Sequence, residues 1–184
     1  DGVLQLIANG NVTGAAKTLD AGQHITGMAL CSAQGHKALA TMPEVQFRGA
    51  NYTHEASVIR QLDNFLSVNS AVQVDLSGQV NAEVVGGRQI SGTGGSVDFM
   101  RAAKQSRGGR SIVALGATAR GGSVSRIVSR VDHVTALRTD VDLVVTEFGV
   151  ADLRNASLAA RREALIAIAA PAFRDELAAH SERV

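Results

Sequence analysis

The feature that most constrains the fold is a series of short apolar segments that alternate with segments of helical periodicity. The clearest apolar segment is Leu143 to Thr146, within TDVDLVVTEFG (139–149), and another is RSIVALGAT (110–118). Runs of this length, rich in Val, Ile and Leu, are typical of strands that are buried on both faces. Buried strands that alternate with helices predict a layered α/β domain, in which helices cover a sheet.

Periodicity and capping residues assign the remaining segments. The pattern predicts helices at 3–8, 35–42, 97–106, 157–170 and 172–183, and a short helical turn at 55–63. It predicts strands at 24–32 and 44–52, a turn and a strand within 119–131, and a hairpin over 65–85 with Gly78 in its turn. Ser96 and Ser157 are predicted N-caps. Pro171 is predicted to end the helix before it.

Length and composition restrict the possible functions. A chain of 184 residues suits one domain with a substantial core. The 18 basic and 17 acidic residues nearly cancel, and aromatic residues make up only 3%, so we expect no nucleic-acid partner. No apolar run reaches the roughly 18 residues of a membrane span, so we expect no membrane partner. The single cysteine, Cys31, fits a reducing compartment. We expect it to be a buried packing residue and the protein to be cytoplasmic.

A glycine-rich turn, ISGTGGSVDF (90–99), precedes the predicted helix 97–106. A P-loop would need a lysine after the glycines, where Ser96 stands, and a dinucleotide fingerprint would need glycine in place of Val97. A third interpretation needs only the backbone. The free N–H groups at the start of the helix could bind a phosphate, a carboxylate or the oxyanion of an acyl-transfer intermediate. A tight turn with no ligand fits the spacing equally well.

Three further polar features are candidates for a site. Glu147 follows a buried strand, where ligands of open α/β sheets bind, but a simple loop carboxylate fits as well. Arg120, in ARGGS (119–123), is either a phosphate clamp or a solvated surface residue. Gln79, Asn81 and Glu83 alternate on one face of a strand, which could be only a solvent-facing one. The five histidines show no metal-ligand spacing, so we expect no metal site.

Four segments, in order, resemble motifs of the acetyl-CoA hydrolase/transferase family, of the 4-hydroxybutyrate CoA-transferase type. They are VNSAVQVDLSGQVNAE, SGTGGSVDFMRAA, GGSVSRIV and VVTEFGVADLRNASLAARREALIAIAAPAFRDEL. The resemblance covers nearly the whole chain. It implies a CoA-transferase-like α/β fold, a layered sheet covered by helices, in an enzyme of two halves with CoA between them. Residues 1–184 would then form a single C-terminal domain.

The resemblance also implies a reaction. A glutamate carboxylate of the family attacks an acyl-CoA, and a glutamyl-CoA thioester then passes CoA to a second, short-chain carboxylic acid. That glutamate lies just upstream of the segment that matches DGVLQLI, so we expect this chain to begin after its own nucleophile and to be inactive alone. The implied partners are acyl-CoA, the acid, the missing N-terminal half and further copies of the enzyme. An acetyl-CoA hydrolase and a non-catalytic CoA-binding module are the alternatives.

Site residues are implied position by position. Gly95 matches a glycine whose amide joins the oxyanion hole, and Glu147 matches a motif glutamate near the thiol end of CoA, so both are predicted to be catalytic. Where the family carries Asn-x-Pro beside the active site, this chain has His54, Glu55 and Ala56. The residues predicted to bind CoA are Ser91, Gly92, Gly94, Gly95, Arg120, Gly122 and Asn81.

Overall fold

The computed structural model describes residues 1–181 and has the mixed α/β architecture that the sequence predicts. The helices are α1 (Gly2–Ala8), α2 (Ala33–Leu39), α3 (Ala50–Thr53), α4 (Ala56–Ile59), α5 (Ser96–Gln105), α6 (Leu158–Ala167) and α7 (Arg174–Ser181), with 3-10 turns at Arg120–Gly122 and Pro171–Phe173. The strands are β1 (His24–Thr26), β2 (Val45–Phe47), β3 (Leu66–Asn69), β4 (Gln73–Asp75), β5 (Val80–Asn81), β6 (Val84–Val85), β7 (Arg88–Gln89), β8 (Arg110–Ala114), β9 (Thr118–Ala119), β10 (Val124–Ser125), β11 (Ile127–Val128), β12 (Leu143–Thr146) and β13 (Gly149–Asp152).

The central sheet has four strands in the order β13-β12-β8-β3. Strands β3, β8 and β12 run parallel, and β13 turns back antiparallel to β12. Val113 of β8 and Val144 of β12 pair side by side and are fully buried. The predicted strand at 143–146 is therefore confirmed, whereas the strand predicted at 110–118 ends at Ala114.

A second sheet, in the order β11-β4-β5, lies beside the first in the chain's core. Strands β4 and β5 form the predicted hairpin around Gly78, whose φ of 95° requires glycine at this turn. The earlier part of the predicted hairpin is wrong. Strand β3 pairs in parallel with β8, about forty residues further along, and takes no part in the hairpin.

Helix α5 covers one face of the central sheet. Its apolar side is buried through Met100, Ala102 and Ala103. The hydroxyl of Ser106 fixes the C-terminal end of α5 to the start of β3, because it accepts from the N–H of Phe65 at 3.2 Å and donates to the carbonyl of Leu62 at 2.5 Å. The N-terminal end of α5 therefore lies toward the carboxyl ends of the parallel strands.

Helix ends were predicted with mixed success. Ser157 is the N-cap of α6, because its Oγ accepts from the N–H of Ala160 at 3.2 Å. The N-cap predicted at Ser96 is wrong, since Ser96 lies in the first turn of α5 and Gly95 is the cap. The last helix begins at Arg174, after the 3-10 turn, and the end predicted at residue 183 lies outside the described residues.

The N-terminal quarter differs most from the prediction. Strands β1 and β2 form a separate two-stranded parallel sheet of three residues each. The strand predicted at 24–32 stops at Thr26, and Leu30 is 85% exposed. The strand predicted at 44–52 stops at Phe47, and α3 follows. Cys31 is half-buried and not a core residue. Among the helices described, none is long and apolar enough to cross a membrane.

Candidate active site

Loops that follow β3, β8 and β12 meet at the carboxyl edge of the central sheet, where ligands of open α/β sheets bind. Glu147 comes directly after β12, and its Oε2 accepts from the N–H of Ala117, in the loop after β8, at 2.8 Å. Arg126 donates through Nε to the carbonyl of Val72, in the loop after β3, at 2.9 Å, and through Nη2 to the carbonyl of Ala71. The backbone N–H of Arg126 also donates to the carbonyl of Ala117 at 2.9 Å, so these bonds fix the three loops relative to one another.

Glu147 is held in its ionised form. The N–H of Ala117 is the main cause of the lowered pKa of this carboxyl, and the N–H of Glu147 itself and the charge of Arg126 act in the same direction. A carboxylate with a lowered pKa carries a negative charge at neutral pH and is a poor proton donor. Glu147 therefore presents a negative charge and a hydrogen-bond acceptor at this edge.

The glycine turn presents unpaired backbone donors. Gly94 has a φ of 57°, and Gly95 is the N-cap of α5 without any side-chain cap. The first N–H groups of a helix have no partner within it, and no described residue accepts from the N–H of Gly95. The turn is solvent-exposed from Ser91 to Gly94. It therefore offers an anion or an oxyanion a set of open N–H donors.

Sequence reasoning missed the contact that His54 makes with this turn. A Cβ built on Gly95 would overlap the imidazole ring of His54, so the ring fills the place of a side chain at residue 95. His54 lies 4.8 Å from the ring of Phe99, between centroids, and its Nδ1 is 2.8 Å from the hydroxyl of Thr53. The only signal in the sequence was that the resemblance places asparagine at position 54.

The predicted CoA-binding residues of the turn are exposed. The hydroxyl of Ser91 donates to the carbonyl of Gly92 at 3.0 Å, and its own carbonyl accepts from Gln89 at 3.1 Å. A Cβ on Gly92 would meet no atom within 4 Å, so this glycine is not required by packing. The contacts of Ser91, Gly92 and Gly94 with CoA remain predictions.

Arg120 and Gly122 lie at the tip of the β9–β10 hairpin. Arg120, Gly121 and Gly122 have consecutive positive φ values of 50°, 65° and 93°. Arg120 is exposed, and its guanidinium makes no hydrogen bond or ion pair with any described residue. A free cation on a hairpin tip is available to a phosphate. Its contact with CoA, and that of Gly122, remain predictions.

Asn81 belongs to a different environment, which we call the interior polar cluster and define as Asp75, Asn81 and Glu83. All three side chains are buried. The Asn81 amide accepts from the N–H groups of Glu83 and Val84, at 3.1 and 3.0 Å, and donates to the carbonyl of Val84 at 2.8 Å. These bonds form a turn within the chain. The predicted contact of Asn81 with CoA remains a prediction.

Comparison with known proteins identifies the family of this site. A profile of the acetyl-CoA hydrolase/transferase C-terminal domain matches residues 32–181. The chain belongs to this family. The family assignment and the CoA-transferase-like α/β fold predicted from the four motifs are thereby confirmed. The part of the chain that the structure describes contains no group of three or more His, Cys, Asp or Glu side chains arranged to bind a metal.

Relatives of the chain include CoA-transferases and acetyl-CoA hydrolases. The 4-hydroxybutyrate coenzyme A transferase of Clostridium kluyveri is 43% identical over 96% of this chain and 42% of its own length. The butyryl-CoA:acetate CoA-transferase of Anaerostipes caccae is 38% identical over 100% of this chain and 42% of its length. The solved structure of RipA from Yersinia pestis is 40% identical and superimposes with a TM-score of 0.94, over 99% of this chain and 42% of that one. The chain thus spans about two fifths of the length of these relatives.

Proposed function

We propose that the chain is the C-terminal half of an acyl-CoA:carboxylate CoA-transferase that works through a glutamyl-CoA thioester. One observation carries the proposal. The open N–H donors at the start of α5 and the ionised Glu147 lie toward the same edge of the sheet, in a member of a family of acyl-CoA enzymes. Donors aimed at developing negative charge are what an acyl-transfer intermediate requires.

The reaction divides into balanced steps. A glutamate carboxylate, supplied by the part of the enzyme outside this chain, attacks the thioester carbonyl, the C–S bond breaks, and an acyl-glutamyl anhydride forms as the CoA thiolate leaves. The thiolate attacks the glutamyl carbonyl and releases the first acid. The second acid then attacks the glutamyl-CoA thioester, the C–S bond breaks, and a second anhydride forms between that acid and the glutamate as the thiolate leaves. The thiolate attacks the acyl carbonyl of this anhydride, which gives the new acyl-CoA and regenerates the glutamate carboxylate.

Each residue of this chain has a limited role in those steps. The N–H of Gly95 stabilises the oxyanion that forms during each attack. Glu147 keeps the loop after β8 in place by accepting from the N–H of Ala117. Its negative charge repels a substrate carboxylate that approaches this loop. Arg120 binds a phosphate of CoA. We place the enzyme in the cytoplasm and expect it to be a homo-oligomer.

Two alternatives share this geometry. An acetyl-CoA hydrolase would use the same oxyanion donors but admit water to the acyl-enzyme, and a non-catalytic module would bind CoA alone. We expect the full-length gene product, given acetyl-CoA with a labelled acetyl group and a panel of short-chain acids, to form new acyl-CoA. Release of labelled acetate without a new acyl-CoA would identify a hydrolase. Binding of CoA without either product would identify the module.

A further inference from the structure

Arg126 lies where the loops of the candidate active site meet, within the motif GGSVSRIV (121–128). It is half-buried between β10 and β11. Its main chain bonds in two directions. The N–H of Arg126 donates to the carbonyl of Ala117 at 2.9 Å, and its carbonyl accepts from the N–H of Val74, in β4, at 2.9 Å. The backbone at residue 126 therefore joins the loop after β8 to the second sheet.

The side chain of Arg126 extends the connection to the loop after β3. Its Nε donates to the carbonyl of Val72 at 2.9 Å, and its Nη2 donates to the carbonyl of Ala71, a residue that is 5% exposed. Buried carbonyls need donors, and the planar fork of a guanidinium suits two consecutive ones. A Cβ built on Gly116 would lie 3.9 Å from Nη1, so the other end of the guanidinium lies beside the loop after β8.

The charge of Arg126 also acts on Glu147. The N–H of Ala117 is the main cause of the lowered pKa of Glu147, and the positive charge of Arg126 adds to it. A second cation near this loop, Arg174, packs over the ring of Phe148 at 5.9 Å from the centroid. Arg126 is therefore linked to the site in two ways, by hydrogen bonds to its loops and by its charge on the carboxylate.

We propose that Arg126 is a positioning residue of the candidate active site, which holds the loops after β3 and β8, and with them Glu147, in the arrangement that the reaction needs. The inference rests on the proposed function, because it assigns Arg126 to the site where that reaction would occur. Arg126 acts through the loops and not by touching the substrate. A displacement of about 1 Å in such a site can cost about 100-fold in rate.

Substitution of Arg126 in the full-length gene product tests this role. Arg126→Met removes both the charge and the fork of donors, so kcat for acyl-CoA conversion should fall by about 100-fold with KM nearly constant. The pKa of Glu147, followed by carbon-13 NMR of its carboxyl group, should rise because a neighbouring positive charge is lost. Arg126→Lys keeps the charge without the fork. Its kcat should fall less, and its Glu147 should titrate as in the natural protein.

Arg161→Met is the matched control for a merely structural role. Arg161 is also half-buried, and its guanidinium donates to the carbonyls of Arg138 at 2.9 Å and Ala156 at 3.3 Å. It lies near the start of α6, which follows the antiparallel strand β13 and therefore begins at the opposite edge of the sheet. Arg161→Met should lower the melting temperature about as much as Arg126→Met, but leave kcat and the pKa of Glu147 unchanged.

The outcomes separate this role from the proposed function. An unchanged kcat in Arg126→Met, an unchanged pKa of Glu147, or an equal loss of kcat in Arg161→Met would overturn the positioning role. If Arg126→Met does not fold, kcat of Arg126→Lys decides, and an unchanged value overturns the role. If the natural full-length protein converts no acyl-CoA, the proposed function fails. The pKa of Glu147 in Arg126→Met then decides alone whether Arg126 acts on that carboxylate.

Discussion

Two polar, glycine-containing motifs of this chain serve opposite purposes. The interior polar cluster lies in VNSAVQVDLSGQVNAE, and the glycine turn lies in SGTGGSVDFMRAA. In the cluster, Asp75 is 2% exposed and accepts five hydrogen bonds, from Ser77, Gln79 and Val131. In the glycine turn, the N–H of Gly95 has no acceptor among the described residues.

The difference shows how a motif supports structure or binding. Buried polar groups must be paired, so a motif whose donors and acceptors satisfy one another is part of the scaffold. Donors left open at an exposed helix start are free for a ligand. Glu83 follows the first pattern, because its Oε2 accepts from the hydroxyl of Thr135 at 2.7 Å. Variants in the two motifs should therefore affect stability in one case and activity in the other.

The largest effect is expected from Asp75→Ala. The variant removes the acceptor of five hydrogen bonds and leaves the N–H groups of Val131, which is buried, and of the half-buried Ser77 and Gln79 without this partner. The free energy of unfolding should fall by about 3 kcal/mol or more, measured by chemical denaturation. Ser77→Ala is the control, because it removes one donor to the same carboxylate and should cost about 1 kcal/mol. Similar values for the two variants would show that Asp75 is not the organising acceptor.

Gly95→Ala tests the glycine turn, where we expect activity to change more than stability. The added Cβ keeps the N–H of residue 95 but overlaps the ring of His54, so either the ring or the turn that carries the donor must move. In the full-length enzyme, kcat should fall by about 100-fold, as when an oxyanion donor is lost, while stability changes much less than in Asp75→Ala. Gly2→Ala, outside the turn, is the control, because its Cβ meets no atom within 4 Å.

A double variant of Gly95 and His54 separates displacement of the residue 95 N–H from a direct role of His54 in the reaction. His54→Ala removes the ring that Gly95→Ala would strike. If the position of the residue 95 N–H determines the rate, the double variant should have a higher kcat than Gly95→Ala alone. Steady-state kinetics measures this difference. A pair as slow as the single variant, with His54→Ala itself slow, would show that the imidazole acts on the substrate.

Arg120→Ala tests the hairpin tip. Because this guanidinium has no partner among the described residues, its removal should leave stability unchanged. Loss of a charge-assisted bond to a CoA phosphate should raise the KM for acyl-CoA by about tenfold with kcat nearly constant. Arg130→Ala, which removes another exposed arginine, is the control. A fall in kcat without a change in KM would contradict a phosphate-binding role.

The smallest effect is expected from Glu147→Gln. The lowered pKa of Glu147 means that its stabilising contribution is fully present above the unfolded pKa, about 4.3, and is lost as the pH falls through the folded value. Melting temperatures of the variant and the natural protein should therefore differ at neutral pH and converge in acid. A constant difference across the pH range would show that the charge of Glu147 contributes nothing.

The sequence predicted elements whose environment is uniform along their length. Strand β12 was predicted at its observed bounds because both of its faces are apolar, and Gly78 was placed in its turn because the turn needs a positive φ. The family assignment came from four motifs in order. In contrast, periodicity cannot identify the partner of a strand, so the pairing of β3 with β8 was not predicted.

The other errors have separate physical causes. Met28 and Leu30 look like strand residues by composition but are 66% and 85% exposed, because hydropathy does not show whether a surface is covered. The contact of His54 with Gly95 joins residues 41 positions apart, and no local pattern contains that information. The N-cap was misplaced by one residue because both serine and glycine are acceptable caps.

The left-handed backbone of Arg120 has a consequence for how this position varies among related sequences. A left-handed backbone costs a residue with a side chain about 1 kcal/mol relative to glycine, and Arg120 adopts a φ of 50° ahead of two glycines that share this conformation. Selection for thermal tolerance alone should favour asparagine or glycine there, because both accept this conformation readily. Selection for substrate affinity should retain arginine despite the strain. Position 120 is therefore a place where heat resistance and affinity should trade against each other across the family.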